Sequence, residues 1–183
     1  MTEERRPSDP RADDLRRRYH AAFTAQELPV PVEAIATDLL GLWVEEIDDL
    51  PVSGALIPSE RRILLNCRES QESPERRRFT LAHEIGHWVC QCDEGRAPTP
   101  PIMCRSSDIA VPEGRGLERE ANAFAATLLM PELHIDKSAD TPRPDQVARF
   151  GVSAPAFQWR LFNLGVGEHP EQTKQDTNGE SRP

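Results

Sequence analysis

The stretch that decides the fold is LAHEIGHWV, Leu81–Val89, which sets His83 and His87 four residues apart with Glu84 directly after the first. Ser73 with Pro74 is a helix start, and Phe79, Ala82, Ile85 and Val89 recur at helical spacing, so the pattern predicts a helix from Glu75 to about Cys90. With 3.6 residues per turn, both imidazoles point the same way one turn apart, as two ligands of one ion must. Glu84 can then reach a metal-bound water without coordinating the metal. Zinc lowers the pKa of such a water to roughly 7, and the carboxylate takes its proton as it attacks a carbonyl. The plainer reading, two histidines on an ordinary helix, is weakened by Gly86. A glycine inside a helix costs about 1 kcal/mol against alanine, so it signals close approach of another element or of a substrate.

A catalytic zinc takes three protein ligands and keeps one position open. The third is sought on the clearest helix of the chain, Leu117 to Met130, whose apolar face is traced by Leu117, Ala121, Phe124, Ala125, Leu128 and Leu129 before Pro131 ends or kinks it. That helix offers Glu118 and Glu120. Helical phase favours Glu118, beside Ala125 and Leu129 at the edge of the buried face, and leaves Glu120, on the opposite flank, as the alternative. Asn122, one turn beyond Glu118, shares that edge and can orient a ligand histidine through a hydrogen bond. His134, just past this helix, is a candidate oxyanion donor set against the commoner surface histidine.

Upstream, Leu15 to Gln26 predicts a first helix with Tyr19, Ala22 and Phe23 on its stripe, and Pro31 opens a second, VEAIATDLL, stopped by Gly41. Leu42–Ile47, Ser53–Ile57 and Arg62–Asn66 predict three strands in a small antiparallel sheet. Gly95 to Gly116, with four prolines, predicts a loop or flap. After it, DQVARFGVSAPAFQWRLFNLGV predicts two short helices about Gly151. This pair resembles half of a helix-turn-helix, but with Arg149 and Arg160 as its nearby cations it reads as packing through Val147, Phe150, Val152, Phe157 and Leu161. The expected organisation is a disordered tail over 1–14, one domain over 15–167 with its C-terminal helical part at about 143–167, and a disordered tail over 168–183.

The 183 residues carry a formal net charge of −9, a poor basis for neutralising nucleic-acid phosphates, so direct nucleic-acid binding is not expected. Arg16–Arg18 and Arg76–Arg78 are short basic clusters that read as solvated helix faces. No apolar run approaches the ~18 residues of a membrane span, and the N-terminus lacks a signal-peptide core. The expectation is a cytoplasmic protein in which Cys67, Cys90, Cys92 and Cys104 are reduced, buried or incidental thiols; a redox-sensitive catalytic helix is the minor alternative.

The motifs RRFTLAHEIGHWV (Arg77–Val89) and LEREANAFAATLLMP (Leu117–Pro131) together resemble the ImmA/IrrE family of metallo-endopeptidases, and GALIP, RRILLN and FGVSAPAFQWRL extend the likeness more weakly. The resemblance implies an α+β, zincin-like core of the gluzincin kind: a small sheet, a helix bearing two histidines and a glutamate (HEXXH), a second ligand-bearing helix, and C-terminal helices. It implies Zn2+ as cofactor. Its rule that the third ligand stands four residues before an Asp or Asn selects Glu118 with Asn122. It further implies cleavage of a regulatory protein such as a helix-turn-helix transcriptional repressor, here a separate polypeptide. The rival reading is a non-hydrolytic zinc-bearing regulator that sequesters its repressor partner.

Overall fold

Caps and chain-breaking residues set the element ends. The computed structural model describes residues 8–23, 28–92, 100–104, 116–138 and 141–169. Helix α1 spans Pro10–Ala22 and is capped by Asp9, whose carboxylate accepts the Arg11 N–H. Residues 10–14, expected in the disordered tail, therefore belong to the helix, and Ala12 is fully buried. The correction has a local cause: Asp followed by Pro is a strong helix start that a count of apolar residues overlooks. The remainder of the two expected tails (1–7 and 170–183) and the expected end of the first helix (24–26) lie outside the described residues. Helix α2, Val32–Ala34, continues as a π-helical turn over Ile35–Leu39, and Gly41 leaves it at φ 62°.

The three expected strands are present as β1 (Trp43–Ile47), β2 (Gly54–Ile57) and β3 (Arg62–Asn66). A 3-10 turn over Pro58–Glu60, closed by Arg61 in the left-handed region at φ 51°, joins β2 to β3 as an antiparallel pair. The sheet is nevertheless mixed, not wholly antiparallel, because β1 pairs parallel with β3 from Trp43↔Arg62 to Ile47↔Asn66. Strand spacing predicts which segments extend, not which neighbour each one takes. A fourth strand, β4 (Ile102–Cys104), lies within the stretch expected to be all loop and completes the order β1-β3-β2-β4. It is too short to show a period, and Pro100 and Pro101 stand just ahead of it, where they remove no ladder bond. The other parts of that stretch, 95–99 and 105–115, lie outside the described residues.

Asn66 caps a short helix the sequence did not suggest, α3 (Cys67–Glu72), by accepting the Glu69 N–H. Ser73 caps α4, Pro74–His87, which runs on as a π-helical segment Trp88–Cys92. Helix α5 is Gly116–Leu129, and α6 (Pro144–Phe150) and α7 (Ala154–Asn163) meet at Gly151, φ 62°. The expected apolar stripe of α5 is fully buried except for Leu117, which is exposed. Phe150 and Phe157 stack at 5.6 Å inside the core, as the packing reading of this pair requires.

The cluster Arg76–Arg78 does more than solvate a face. Arg77 bridges Glu33 (2.6 Å) and Glu46 (2.7 Å), tying α4 to α2 and β1. Arg78 donates to the carbonyls of Val30 and Gly151, fastening the C-terminal helices to α4. The result is an α+β fold of seven α-helices and a four-stranded mixed sheet among the described residues, compatible with a zincin-like core. Among those residues no helix is long and apolar enough to cross a membrane.

Candidate metal centre

From Thr80 to His87 every residue of α4 is buried, so its polar side chains must find partners inside the protein. One wall around them is α5. At Gly86 an added Cβ would stand 3.1 Å from both the Cα and the carbonyl oxygen of Ala121, so the two helices meet backbone to backbone. That is the close approach the glycine predicted. It brings Glu118, one turn before Ala121, onto the histidines.

The Nε2 atoms of His83 and His87 lie 3.0 Å apart. Glu118 Oε2 is 3.1 Å from the first and 3.4 Å from the second. Three ligands about 2.0–2.1 Å from a tetrahedral zinc are separated from one another by roughly 3.3 Å. The observed edges fit that ion almost without movement. Glu120, the alternative, sits on another flank, where its carboxylate is 3.9 Å from the Arg11 guanidinium. His134 lies in the 3-10 turn Glu132–His134 and is not among the side chains whose ligand atoms converge, which are His83, His87, Cys104 and Glu118.

Both rings are held from behind. Asn122 Oδ1 is 2.9 Å from His83 Nδ1, the hydrogen bond expected of Asn122, and by accepting the Nδ1 proton it leaves the Nε2 lone pair for a metal. The sequence reading missed the counterpart on the second histidine. Gln91 Nε2 is 2.7 Å from His87 Nδ1, so this side chain stands behind the second ring as Asn122 stands behind the first; a half-turn of the amide exchanges that nitrogen for the oxygen, which then accepts the Nδ1 proton and leaves the Nε2 lone pair for a metal. Its signal was available: Gln91 follows His87 by four residues.

The electrostatics suit a divalent cation. Contact with the His83 ring and then with the His87 ring holds the Glu118 carboxyl down at about 2, so it is ionised. Burial pushes His83 below the usual imidazole range, so it is neutral. Imidazole nitrogens with a carboxylate form a donor set that binds zinc well.

Glu84 is fully buried, and burial pushes its carboxyl up to about 8; the Cys104 thiol opposes that shift and the Glu118 charge adds to it. Among the described residues neither of its oxygens meets a partner at full hydrogen-bond geometry. Space for the carboxylate comes from the second wall, the sheet. An added Cβ on Gly54 of β2 would lie 2.6 Å from Glu84 Oε1 and 2.7 Å from Thr80 Cγ2. Beside Gly54, the end of β4 delivers Cys104 to the group, a position the reading of incidental thiols did not foresee.

An α+β fold in which an HEXXH helix and a second helix bring two imidazoles and a carboxylate to one point defines a zincin-like protein with a site that can hold a metal ion. The chain belongs to the family described as the IrrE N-terminal-like domain, whose model matches residues 30–162, and this family is one of metallopeptidases. The ImmA/IrrE likeness of the two motifs is thereby met. A curated relative, the radiation response metalloprotease IrrE of Deinococcus radiodurans, is 42% identical over 83 residues. The match covers 43% of this chain and 22% of that protein, about a fifth of the relative's length.

Proposed function

We propose that the protein is a zinc endopeptidase in which His83, His87 and Glu118 hold the ion and Glu84 serves as general base. The observation that supports this most is the convergence of two Nε2 atoms and a carboxylate oxygen within 3.0–3.4 Å of one another, one residue from a buried carboxylate that meets no partner at full hydrogen-bond geometry among the described residues. An ion held by His83, His87 and Glu118 would supply Lewis-acid chemistry, polarising the scissile carbonyl and acidifying the attacking water toward neutral pH. Asn122 and Gln91 fix the two rings, so the ligand set is organised in advance. Glu84, confined between α4 and the glycine of β2, takes the proton of the attacking water and returns it to the leaving amine.

For the substrate we propose a regulatory protein, and a helix-turn-helix repressor on a separate chain in particular. Two things support this: the family likeness, and the name of the Deinococcus relative, a metalloprotease of the radiation response. The experiment compares new protein N-termini in cells producing the wild type and Glu84→Gln. The variant is expected to retain metal and to lose cleavage, and the wild type to produce a new N-terminus within a helix-turn-helix protein. A Glu84→Gln protein that still cuts would refute the general base. A repressor relieved yet recovered intact would favour sequestration.

A further inference from the structure

We propose that Cys104 is a fourth protein ligand of the metal and that its thiolate closes the site into a latent form. The inference rests on the metallopeptidase reading above and adds a mode of regulation to it. The Cys104 Sγ, the ligand nitrogens of His83 and His87, and a Glu118 oxygen all lie within 4.8 Å of one another. A sulfur about 2.3 Å and a nitrogen about 2.0 Å from one tetrahedral zinc are roughly 3.6 Å apart. Against the 4.8 Å limit, the sulfur has a gap of at most roughly 1.2 Å to close.

The backbone explains why the thiol is there. β4 runs antiparallel to β2 with Cys104 opposite Gly54, and the Cys104 carbonyl accepts the Ser53 N–H at 3.0 Å. Residues directly opposed across an antiparallel pair project to the same face of the sheet. On β2 that face is the one where a Cβ on Gly54 would run into Glu84, so Cys104 also faces α4. Alternation along the strand agrees: Cys104 is fully buried while Met103, on the other face, is 54% exposed. Gly54 thus leaves room for the Glu84 carboxylate and the Thr80 methyl group on the face that Cys104 shares. Cys90 and Cys92, although nearer His87 in sequence, do not join the converging group.

The chemistry is ligand exchange without electron transfer. As the sulfur binds, its S–H bond is lost, the proton goes to solvent and one water leaves the fourth position. Four protein ligands make a closed site of the structural kind, whereas hydrolysis needs that position open. The closing ligand sits on the edge strand, which has β2 as its sheet neighbour on one side. Loss of the Cys104 sulfur from the metal would reopen that fourth position to substrate.

The test is X-ray absorption at the zinc edge on the zinc-loaded full-length protein, wild type and Cys104→Ser, with Cys92→Ser as control. The wild type and Cys92→Ser should show about one sulfur at ~2.3 Å alongside nitrogen and oxygen neighbours. Cys104→Ser should lose that sulfur while keeping its metal. Zinc surrounded by nitrogen and oxygen alone in the wild type overturns the proposal and leaves the metallopeptidase reading intact. So does a sulfur neighbour that survives in Cys104→Ser. A wild type that takes up no zinc defeats both. Should Cys104→Ser fail to fold, the wild-type spectrum decides the matter, with Cys104→Ala as the second variant.

Discussion

The site lies between two walls of different construction. On one side α4 and α5 touch backbone to backbone at Gly86 and Ala121, and that contact carries both histidines, Glu118 and Asn122. On the other side β2 and the three-residue edge strand β4 approach through Gly54 and present Cys104. The helical wall fixes where a metal can sit. The strand wall governs the space and the polar neighbours of Glu84. Each wall depends on one glycine, and the two should fail differently when that glycine is filled.

The largest effect is expected on the strand side. Gly54→Ala places a methyl group 2.6 Å from Glu84 Oε1 and 2.7 Å from Thr80 Cγ2, so the proposed general base must turn away while the proposed ligands stay. Zinc content should remain at the wild-type level while kcat/KM falls about 100-fold, the usual consequence of misplacing a catalytic group by an ångström. Loss of zinc in this variant would merge the two walls into one.

Next comes Asn122→Ala on the helical side. It frees His83 Nδ1 from its hydrogen bond. Chelator competition should show zinc bound about 10–100-fold more weakly, the usual cost of losing a partner behind a ligand histidine. Unchanged affinity would mean the ring is held by packing alone.

Gly86→Ala gains about 1 kcal/mol of helix propensity but drives a Cβ to 3.1 Å from two backbone atoms of Ala121. Overpacking of this kind costs typically 1–3 kcal/mol, so the net expectation in urea unfolding is a loss of about 1 kcal/mol. A stabilised variant would show that α5 yields more readily than the geometry implies.

A further effect, read against pH, concerns the metal-free protein. Glu84 is raised in the folded state to about 8, so the folded chain holds a proton that the unfolded chain releases above the ordinary carboxyl value of 4.5. Folded stability must then fall as pH rises from 4.5 to about 8. Glu84→Gln removes that titration. Its melting temperature should exceed that of the wild type by several degrees at pH 8 and match it near pH 4.5; equal slopes would remove the burial argument for Glu84.

The same contrast explains what could be read from the sequence. The proposed ligands, which stand on helices, are legible because four-residue spacing translates directly into a shared face. His83 with His87, Glu118 before Glu120, and Asn122 behind a histidine all came from phase, and Gly86 gave notice of the helix crossing. The sheet was legible as segments but not as pairings. Nothing in RRILLN says that β3 takes β1 as a parallel neighbour. Nothing in a Pro-rich stretch says that Ile102–Cys104 will pair with Gly54–Leu56. Cys104 therefore remained an incidental thiol until the register placed it. Gln91 was missed for another reason: only its spacing from His87 pointed to it, and a glutamine one turn past a histidine is an ordinary residue of a solvated helix face.

The most direct measurement of the central claim is the zinc content of the purified full-length protein, set beside that of a His83→Ala, His87→Ala double variant. After zinc is supplied and excess removed, the account predicts about one zinc per chain for the wild type, as a single site requires, and close to none for the double variant. A wild type without zinc, or a double variant that binds as much, would contradict it.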